Sequence, residues 1–412
     1  MSRTIHVIGA GLAGLSAAVA LAGRGEQVEV YEGAAQAGGR CRSYLDPQLG
    51  AVIDNGNHLV LSGNRAVHAY AAEIGSLDHL VGPDQAVIGF ADLKTGERWR
   101  LRPNAGRLPW WIFAKDRRTP GTTPGDYLSL AALQHPPPDK RMDEVVACKG
   151  PLWDRLLQPF LLAVLNTEPE AGSADLAAAV VRETLALGGD ACRPRIAHPT
   201  LASAFVDPAL AYLEAKGAKV NLGKRVRGLE LSGGRLASFA LPDRTVALET
   251  DDRVILAVPP WAAQDLIPAL KAPTDFRAIV NGHFQIPAPE GAEPMVGLIG
   301  GTAEWVFAFP DRISVTVSGA DRLLDDDRED LAKRLWADVA TLHHLPPELP
   351  PWQIVKERRA TFAATPEENA KRPGARTQWD NLLLAGDWTA TGLPATIEGA
   401  LRSGRTAADL VT

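Results

Sequence analysis

Apolar and polar positions along the chain follow two periods. Ile5 to Ile8 is a short apolar run, Gly9-Ala10-Gly11-Leu12-Ala13-Gly14 follows it, and an Ala/Leu-rich stretch to about Gly23 has the composition of a buried helix. Gln27-Val-Glu-Val-Tyr-Glu32 then alternates as a second strand. Strand, glycine turn, helix and strand make the unit that a right-handed βαβ crossover needs. Residues 62–195 mix short strands, a Pro/Gly-rich stretch from Pro103 to Gly125 and helical pieces, with Pro136-Pro137-Pro138 marking a loop.

From Pro199 the spacing predicts an amphipathic helix to about Lys216. A meander follows over Lys219-Val-Asn-Leu, Val226 to Leu231 and Arg235 to Leu241, turning at Ser232-Gly-Gly-Arg235. Arg253-Val-Ile-Leu-Ala-Val258, closed by Pro259-Pro260, reads as an interior strand. Strands are expected near 295–300, 304–309 and 313–318, a charged helix from about Arg328 to Leu342, a strand from Asn381 toward Asp387, and a helix from Thr396 onward. The expected fold is α/β: a discontinuous Rossmann-type dinucleotide domain over 1–61, 196–261 and 355–412, and a mixed α+β substrate domain over 62–195 and 262–354. No internal repeat or low-complexity tail interrupts this plan.

The 412 residues suffice for two to three domains, and 46% hydrophobic with 22% charged residues is the balance of a chain that folds. A net charge of −6 argues against nucleic acid as a partner, because such binding must neutralise phosphates. The three cysteines, Cys41, Cys148 and Cys192, form no CxxC pair and no disulfide framework, so neither a zinc ribbon nor any other metal site is expected and a reducing cytoplasm fits best. Met-Ser-Arg-Thr passes directly into a strand pattern, so no signal peptide is expected. Leu156 to Leu165 is the longest mostly apolar stretch, and with Gln158 and Pro159 inside it falls well short of a spanning helix.

Gly9-x-Gly11-x-x-Gly14 stands directly after a strand and opens a helix. Gly9 permits the tight turn, Gly11 lets the backbone approach a pyrophosphate, and Gly14 lets helix pack on strand, while the helix start at Leu12 and Ala13 turns N–H groups toward the phosphates. Glu32 ends the second strand where a carboxylate can accept hydrogen bonds from a ribose, which favours FAD or NAD over NADP. The next residues, to Gly38-Gly39-Arg40-Cys41, can bring backbone amides and a guanidinium to the same pyrophosphate.

In this order the motifs resemble the flavin-containing amine oxidase and phytoene desaturase superfamily, whose chains begin GxGxxG, then E, then GGR. Leu382-Leu-Leu-Ala-Gly386-Asp387 through Pro394-Ala395-Thr396-Ile397 is similar to its C-terminal motif. The resemblance implies FAD, with Gly386-Asp387 meeting the pyrophosphate and ribityl chain, and Ala395, Thr396 and Ile397 beginning a helix aimed at the N1/C2=O edge of the flavin. It also implies that Val226, as a strand residue, meets the adenine, that Ala257 to Pro260 passes near the flavin, and that Asp54-Asn55-Gly56-Asn57-His58 reaches the isoalloxazine with Gly56 and Asn57 at the ring. No cysteine stands in the C-terminal flavin region, so the FAD is expected to be non-covalent.

Asp54 to Asn64, Leu156 to Glu168 and Gly386 to Gly399 resemble, more narrowly, the squalene-associated FAD-dependent enzymes of bacterial hopanoid synthesis. That branch implies reductive removal of the hydroxyl of hydroxysqualene to give squalene. The residues alone leave open a carotenoid desaturase, an amine oxidase or a non-enzymatic isoprenoid carrier of the same fold. His58 is the first candidate for the proton, with Asn57 and Asn166 as orienting amides, although a lone histidine is also compatible with a structural role. Leu156 to Leu165, Phe205, Trp305, Phe307 and Phe309 are candidates for an apolar cavity. With no second GxGxxG in the chain, an external electron donor is expected.

Leu108-Pro109-Trp110-Trp111-Ile112-Phe113, followed by Lys115, Arg117 and Arg118, has the order of an interfacial segment: rings at headgroup level, cations toward anionic lipid. On a strand, Trp110 and Trp111 would point to opposite faces, so one of them alone need be exposed. The expectation is a cytoplasmic protein with a peripheral membrane contact.

Overall fold

The computed structural model describes residues 3–411; Met1 and Ser2, which the leader-free reading of the N-terminus includes, and Thr412 lie outside the described residues. The first domain is built from β1 (Thr4–Ile8), α1 (Leu12–Gly23), β2 (Gln27–Tyr31), α2 (Arg65–Glu73), β3 (Lys219–Asn221), β4 (Arg253–Leu256), β5 (Leu382–Leu384) and α3 (Ile397–Asp409). Its five strands run parallel in the order β3-β2-β1-β4-β5. α1 and α3 cover one face, meeting Val28, Val30 and Ile255, and a three-stranded meander (228–232, 235–240, 245–247) covers the other, with Leu236 and Phe239 against Val254 and Leu256, so the central strand Val254–Leu256 is apolar on both sides. The chain reverses its winding between β1 and β4, so the crevice beyond their C-terminal ends is the expected binding position.

Small residues bring the two ends of the chain together. α1 and α3 pack so closely that a Cβ on Gly404 would lie 2.1 Å from the Ala13 carbonyl oxygen, and Ser16 Oγ donates to the Leu401 carbonyl at 2.8 Å. The N-terminal glycine loop and the C-terminal Gly386-Asp387 loop thereby share one crevice.

The second domain rests on a seven-stranded sheet with the order 352–362, 276–284, 313–317, 305–308, 295–299, 88–92 and 98–101. Alternation along its central strands sends Val280, Phe284, Ile313, Val315 and Val317 toward the helix Arg328–His343, where they pack with Leu331, Leu335 and Trp336. The opposite face carries Asn281, His283, Ser314 and Thr316, all buried and polar. Asn281 stands opposite Thr316 and His283 opposite Ser314, with Thr316 Oγ1 donating to Asn281 Oδ1 at 2.8 Å and His283 Nδ1 2.9 Å from Ser314 Oγ. Among the described residues no helix is long and apolar enough to cross a membrane.

Several expectations need correction. The strand Trp352–Phe362 pairs along its length with Phe276–Phe284, so the substrate domain extends past 354 and the boundary at 355 cuts a strand. α2 belongs to the dinucleotide domain: Val67, Tyr70 and Ala71 join its core, and Glu398 of α3 accepts the Ala66 and Val67 amides at 3.0 Å. The helix expected from Pro199 to Lys216 is two helices, Leu201–Phe205 and Asp207–Ala215, because Pro208 has no N–H for the Ala204 carbonyl. β3 pairs in parallel with β2 as the edge strand of the five-stranded sheet rather than joining the antiparallel meander, which is formed by 228–232, 235–240 and 245–247. Phe205 lies in the dinucleotide-domain core, away from Phe307 and Phe309. Pro159 sits where Trp153–Leu157 forms a widened π turn, because its ring clashes with the carbonyl of Arg155 in a regular helix. Trp110 and Trp111 lie in a 3-10 turn, Trp110–Phe113, and Trp111 is buried.

Candidate functional site

Three glycines of one loop have three different surroundings. Gly9 has φ +109°, and a Cβ there would lie 2.5 Å from the Ala257 carbonyl oxygen. A Cβ on Gly14 would lie 1.9 Å from the Gly9 carbonyl oxygen, so this glycine sets the contact of α1 with the loop. Around Gly11, by contrast, no heavy atom comes within 4 Å of where a Cβ would stand. No side chain caps α1, and the Leu15 amide donates to the Gly11 carbonyl at 2.9 Å as the first turn closes, so the amides of Leu12 and Ala13 open toward that space.

The GGR turn closes over the same place. The Gly38 amide donates to the Ala10 carbonyl at 2.7 Å, Gly39 has φ +56°, and a Cβ on Gly39 would meet Gly11 Cα at 3.4 Å. Arg40 leaves this turn to grip Asp387 with both hydrogen bonds of one Nη2, at 2.8 and 2.7 Å, and also donates to the Ala360 carbonyl. Asp387 is buried, whereas the Arg40 side chain is 39% exposed, so the pair presents a guanidinium edge to the crevice. Glu32 accepts the Ala10 amide on Oε2 and the Ala34 amide on Oε1, both at 2.8 Å. Each carboxylate oxygen keeps a second lone pair, which leaves room for two ribose hydroxyls.

Val226 is buried but lies in an irregular segment, not in the strand expected for it. The neighbouring Lys224 amide donates to the Glu32 carbonyl at 2.7 Å, so the segment is drawn to the Glu32 end of the crevice. At the other end, Ser403 of α3 accepts the Gly386 amide at 2.9 Å. α3 begins at Ile397 with Thr396 as its cap, Thr396 Oγ1 accepting from the Gly399 amide at 3.0 Å, and Ala395 is part-buried just before it. The helix start therefore falls where the motif indicates, with the Ile397 N–H group turned outward.

The Asp54–His58 segment runs across the polar face of the second sheet. Asn57 donates to Thr316 Oγ1 at 3.1 Å and its backbone amide approaches Asn281 Oδ1 at 3.4 Å; a Cβ on Gly56 would lie 3.0 Å from Asn281 Nδ2. Asp54, Asn57 and His58, with Ile196, Ala197, Leu201, Phe307 and Phe309, line a cavity of about 10 Å³, room for a single water or hydroxyl. His58 makes no hydrogen bond among the described residues, and burial among apolar atoms with the Arg40 charge beside it pushes its imidazole down to about 4. At neutral pH it is an uncharged ring. Burial pushes the Asp54 carboxyl up, against hydrogen bonds to Oδ1 from Ser43 Oγ at 2.6 Å and the Leu201 amide at 2.9 Å. Arg312 Nη2 stands 3.6 Å from Asp54 Oδ2, and with its guanidinium 4.1 Å above the Phe309 ring it is a loose partner.

Asn166 does not join this cluster. It is buried as the left-handed cap of the helix Gln158–Leu165, donating to Thr361 Oγ1 at 2.9 Å and accepting the Gly319 amide at 2.7 Å, so both ends of its side-chain amide are occupied by the framework. This corrects its assignment as an orienting amide. The Asn57 NH2 group is likewise held by the sheet, which makes Asn57 a support of the segment and leaves only its carbonyl oxygen toward the cavity. Burial raises the thiols of Cys41 and Cys192 to about 12, and that of Cys148 to about 11, in keeping with packing roles.

The sequence reading missed Arg372, Asn281 and Thr316. Arg372 is buried against the Phe362 ring and donates to the Asp387 carbonyl at 3.0 Å and Thr391 Oγ1 at 2.8 Å, which holds the Gly386-Asp387 loop in shape. Its tripeptide Lys371-Arg372-Pro373 carries no local signal. Asn281 and Thr316 did carry one, as polar residues at alternate positions of otherwise apolar strands.

The chain matches the model of the flavin containing amine oxidoreductase family over residues 12–412. It is 54% identical over 412 residues to hydroxysqualene dehydroxylase of Rhodopseudomonas palustris, covering 100% of this chain and 99% of that one. It is 53% identical over 410 residues to hydroxysqualene dehydroxylase of Sinorhizobium fredii, covering 100% and 98%. Among solved structures, cyclohexylamine oxidase from Brevibacterium oxydans superposes with a TM-score of 0.75 at 15% identity, covering 100% of this chain and 99% of that chain, a likeness of fold.

Proposed function

The chain belongs to the flavin-containing amine oxidoreductase family, and on that premise we propose that it is an FAD-dependent enzyme that removes the hydroxyl group of hydroxysqualene to give squalene. FAD is the cofactor, and the crevice fits it. The one glycine of the loop with open space in place of a Cβ, the uncapped start of α1 and the Arg40 edge converge on one point, as a pyrophosphate requires. Gly9, Gly11, Gly14, Leu12 and Ala13 with Gly39 and Arg40 hold the phosphates, Glu32 the adenosine ribose, Val226 the adenine, Gly386 and Asp387 the ribityl side, and Ala395, Thr396 and Ile397 the pyrimidine edge of the ring. When bound and reduced, the flavin supplies hydride to the carbon that carried the hydroxyl.

The chain's own work is to seat and protonate the leaving oxygen. The small cavity takes the hydroxyl between Asp54 and His58. Asp54, whose carboxyl burial pushes up and whose Oδ2 is free of the Ser43 and Leu201 hydrogen bonds, is the group that delivers the proton, and the uncharged His58 donates a hydrogen bond that orients the oxygen. As the C–O bond breaks, the proton of Asp54 leaves with the oxygen as water. The rings of Phe307 and Phe309 line the cavity and exclude other water from the carbon left behind. The single observation that supports the substrate is identity across the full length with relatives of that name. A triterpene resides in lipid, so the enzyme works at a membrane face, in the reducing cytoplasm that its three unpaired cysteines favour. Its electrons come from an external donor, since the chain has one dinucleotide motif.

Enzyme photoreduced without oxygen in deuterated water is expected to convert hydroxysqualene to squalene with deuterium at the former carbinol carbon, read by mass spectrometry. Asp54→Asn is expected to keep FAD and lose turnover. Desaturation of a polyene by the oxidised enzyme, with hydroxysqualene left unchanged, would transfer the reading to a desaturase; binding without any turnover would make the chain a carrier.

Glu32→Ala is expected to weaken FAD binding by about 1.5–3 kcal/mol through loss of charge-assisted ribose contacts, and to lower stability as well, because the amides of Ala10 and Ala34 lose their acceptor. Fluorescence titration of the apoprotein checks it. Wild-type affinity in a folded variant would remove Glu32 from the ribose.

A further inference from the structure

We propose that the projecting rim formed by residues 107–118 and 124–132 docks on an anionic phospholipid bilayer and is the door through which the isoprenoid enters; the entry role rests on the hydroxysqualene reading, the docking does not. Leu108 is 65% exposed, Trp110 66%, Phe113 63% and Leu128 73%, four of the nine exposed large apolar side chains among the described residues. Such a cluster marks a contact surface in a folded protein.

Local geometry explains why these side chains point outward and stay there. In a 3-10 turn residues three apart eclipse, so Trp110 and Phe113 stand together with ring centroids 6.3 Å apart. Trp111 turns the other way and packs edge-on against Tyr127 at 5.1 Å, fastening the turn to the 3-10 helix Pro124–Leu128 that carries Leu128. Asn104 closes the loop, donating to the Gly106 carbonyl at 2.9 Å and the Leu108 carbonyl at 2.8 Å and accepting the Trp111 amide at 3.2 Å; Arg118 donates to the Ile112 carbonyl at 2.8 Å. The apolar tip is built rigidly, so its exposure is not the accident of a loose loop.

Charge selects the occupant. Across the rim, 107–118 and 124–132, the chain has Arg107, Lys115, Arg117 and Arg118 against two acids, Asp116 and Asp126, a net positive patch in a protein whose net charge is −6. Rings at the tip and cations around it match the headgroup region of an anionic leaflet. Continuity gives the surface its use. Trp111 and Tyr127 belong to one apolar cluster with Trp153, Leu157, Leu161, Phe307 and Trp388, with Ile112, Leu130 and Phe160 packed against it. This cluster joins the rim to Phe307 and Phe309, which line the small cavity beside Asp54 and His58.

The test is flotation of the FAD-loaded protein with vesicles of phosphatidylglycerol and phosphatidylcholine, and with phosphatidylcholine alone, at low and high salt. The wild type is expected to float with the anionic vesicles and to be released by salt. Trp110→Ser/Phe113→Ser and, separately, Arg107→Gln/Lys115→Gln/Arg117→Gln are each expected to weaken binding about tenfold or more with unchanged flavin content and melting temperature. The aromatic variant is further expected to lose turnover of hydroxysqualene presented in vesicles while keeping turnover in detergent micelles. Failure of the wild type to float, equal flotation of a folded aromatic variant, or salt-independent binding to neutral vesicles overturns the docking surface. Turnover in micelles with no flotation leaves the substrate reading standing, and flotation with no turnover in micelles removes that reading and leaves the surface. Release from vesicles only by a competing protein would give the rim to a protein partner and overturn the proposal.

Discussion

Alanine at Gly14 is expected to leave little folded, yellow protein, whereas alanine at Gly11 is expected to leave a folded protein without flavin. The new methyl on Gly14 would stand 1.9 Å from the Gly9 carbonyl oxygen and 3.3 Å from Ala257 Cβ. Neither the loop backbone nor β4's end can yield cheaply, so α1 must lift from the sheet, at the upper end of the 1–3 kcal/mol or more that overpacking costs. Lifting α1 also opens its close contact with α3 at Ala13 and Gly404, and with it the C-terminal half of the crevice. Gly11 is different in kind. Its φ of −73° suits any residue and nothing surrounds the missing Cβ, so alanine there adds no strain and stabilises the apoprotein slightly by restricting the unfolded chain. That methyl projects into the space assigned to the pyrophosphate. Melting temperatures of the apoproteins and flavin absorbance per chain separate the two effects. A Gly11→Ala protein that purifies with a full complement of flavin would show that the phosphates lie elsewhere.

Arg40→Ala is the second large effect. It strands the Asp387 carboxylate, 6% exposed, without its cation, and breaking a buried pair from one side costs about 3–5 kcal/mol. The cost is expected near the lower figure, because the Arg40 side of the pair borders the open crevice. The same change removes the guanidinium proposed to meet the phosphates, so stability and flavin affinity are expected to fall together. A double replacement divides them: Arg40→Ala with Asp387→Asn is expected to recover much of the melting temperature, since no unpaired buried charge remains, and to recover none of the FAD affinity. Arg40→Lys keeps a charge without the fork and is expected to fall between. Recovery of flavin binding in the double variant would mean that Arg40 serves only to neutralise Asp387.

The motifs proposed to hold the cofactor are local. Gly9, Gly11 and Gly14, Glu32 at the end of a strand, Gly39-Arg40 and Gly386-Asp387 each announce themselves within a few residues, through backbone constraints that few sequences satisfy in that order, and the fold brings them together. The substrate side was legible only in part. Asn57 and Asn166 look alike as polar residues in apolar surroundings, yet one supports the segment beside the cavity and the other caps a helix far along the chain. Asp54 stands in the Asp54–His58 motif with nothing in its sequence neighbours to reveal its burial. The Trp110-Trp111 pair was read as interfacial, but the face each ring takes depends on a 3-10 turn that no periodicity marked.

The sequence by itself determined the strand-loop-helix start, the place of Glu32 at the end of the second strand, the interior strands of both sheets and the chemical class of the cofactor, because these rest on contacts between near neighbours and on periodicities of two and of 3.6 residues. Only the tertiary structure decided where the domains divide, that α2 is capped by a carboxylate from α3, that Arg40 reaches Asp387 and Arg372 holds the same loop, and that Asp54 and His58 share one small cavity beneath two phenylalanines. Most of these depend on residues hundreds of positions apart meeting in the folded interior, where burial pushes the Asp54 carboxyl up and the His58 imidazole down, and burial of that kind leaves no mark on the chain around them.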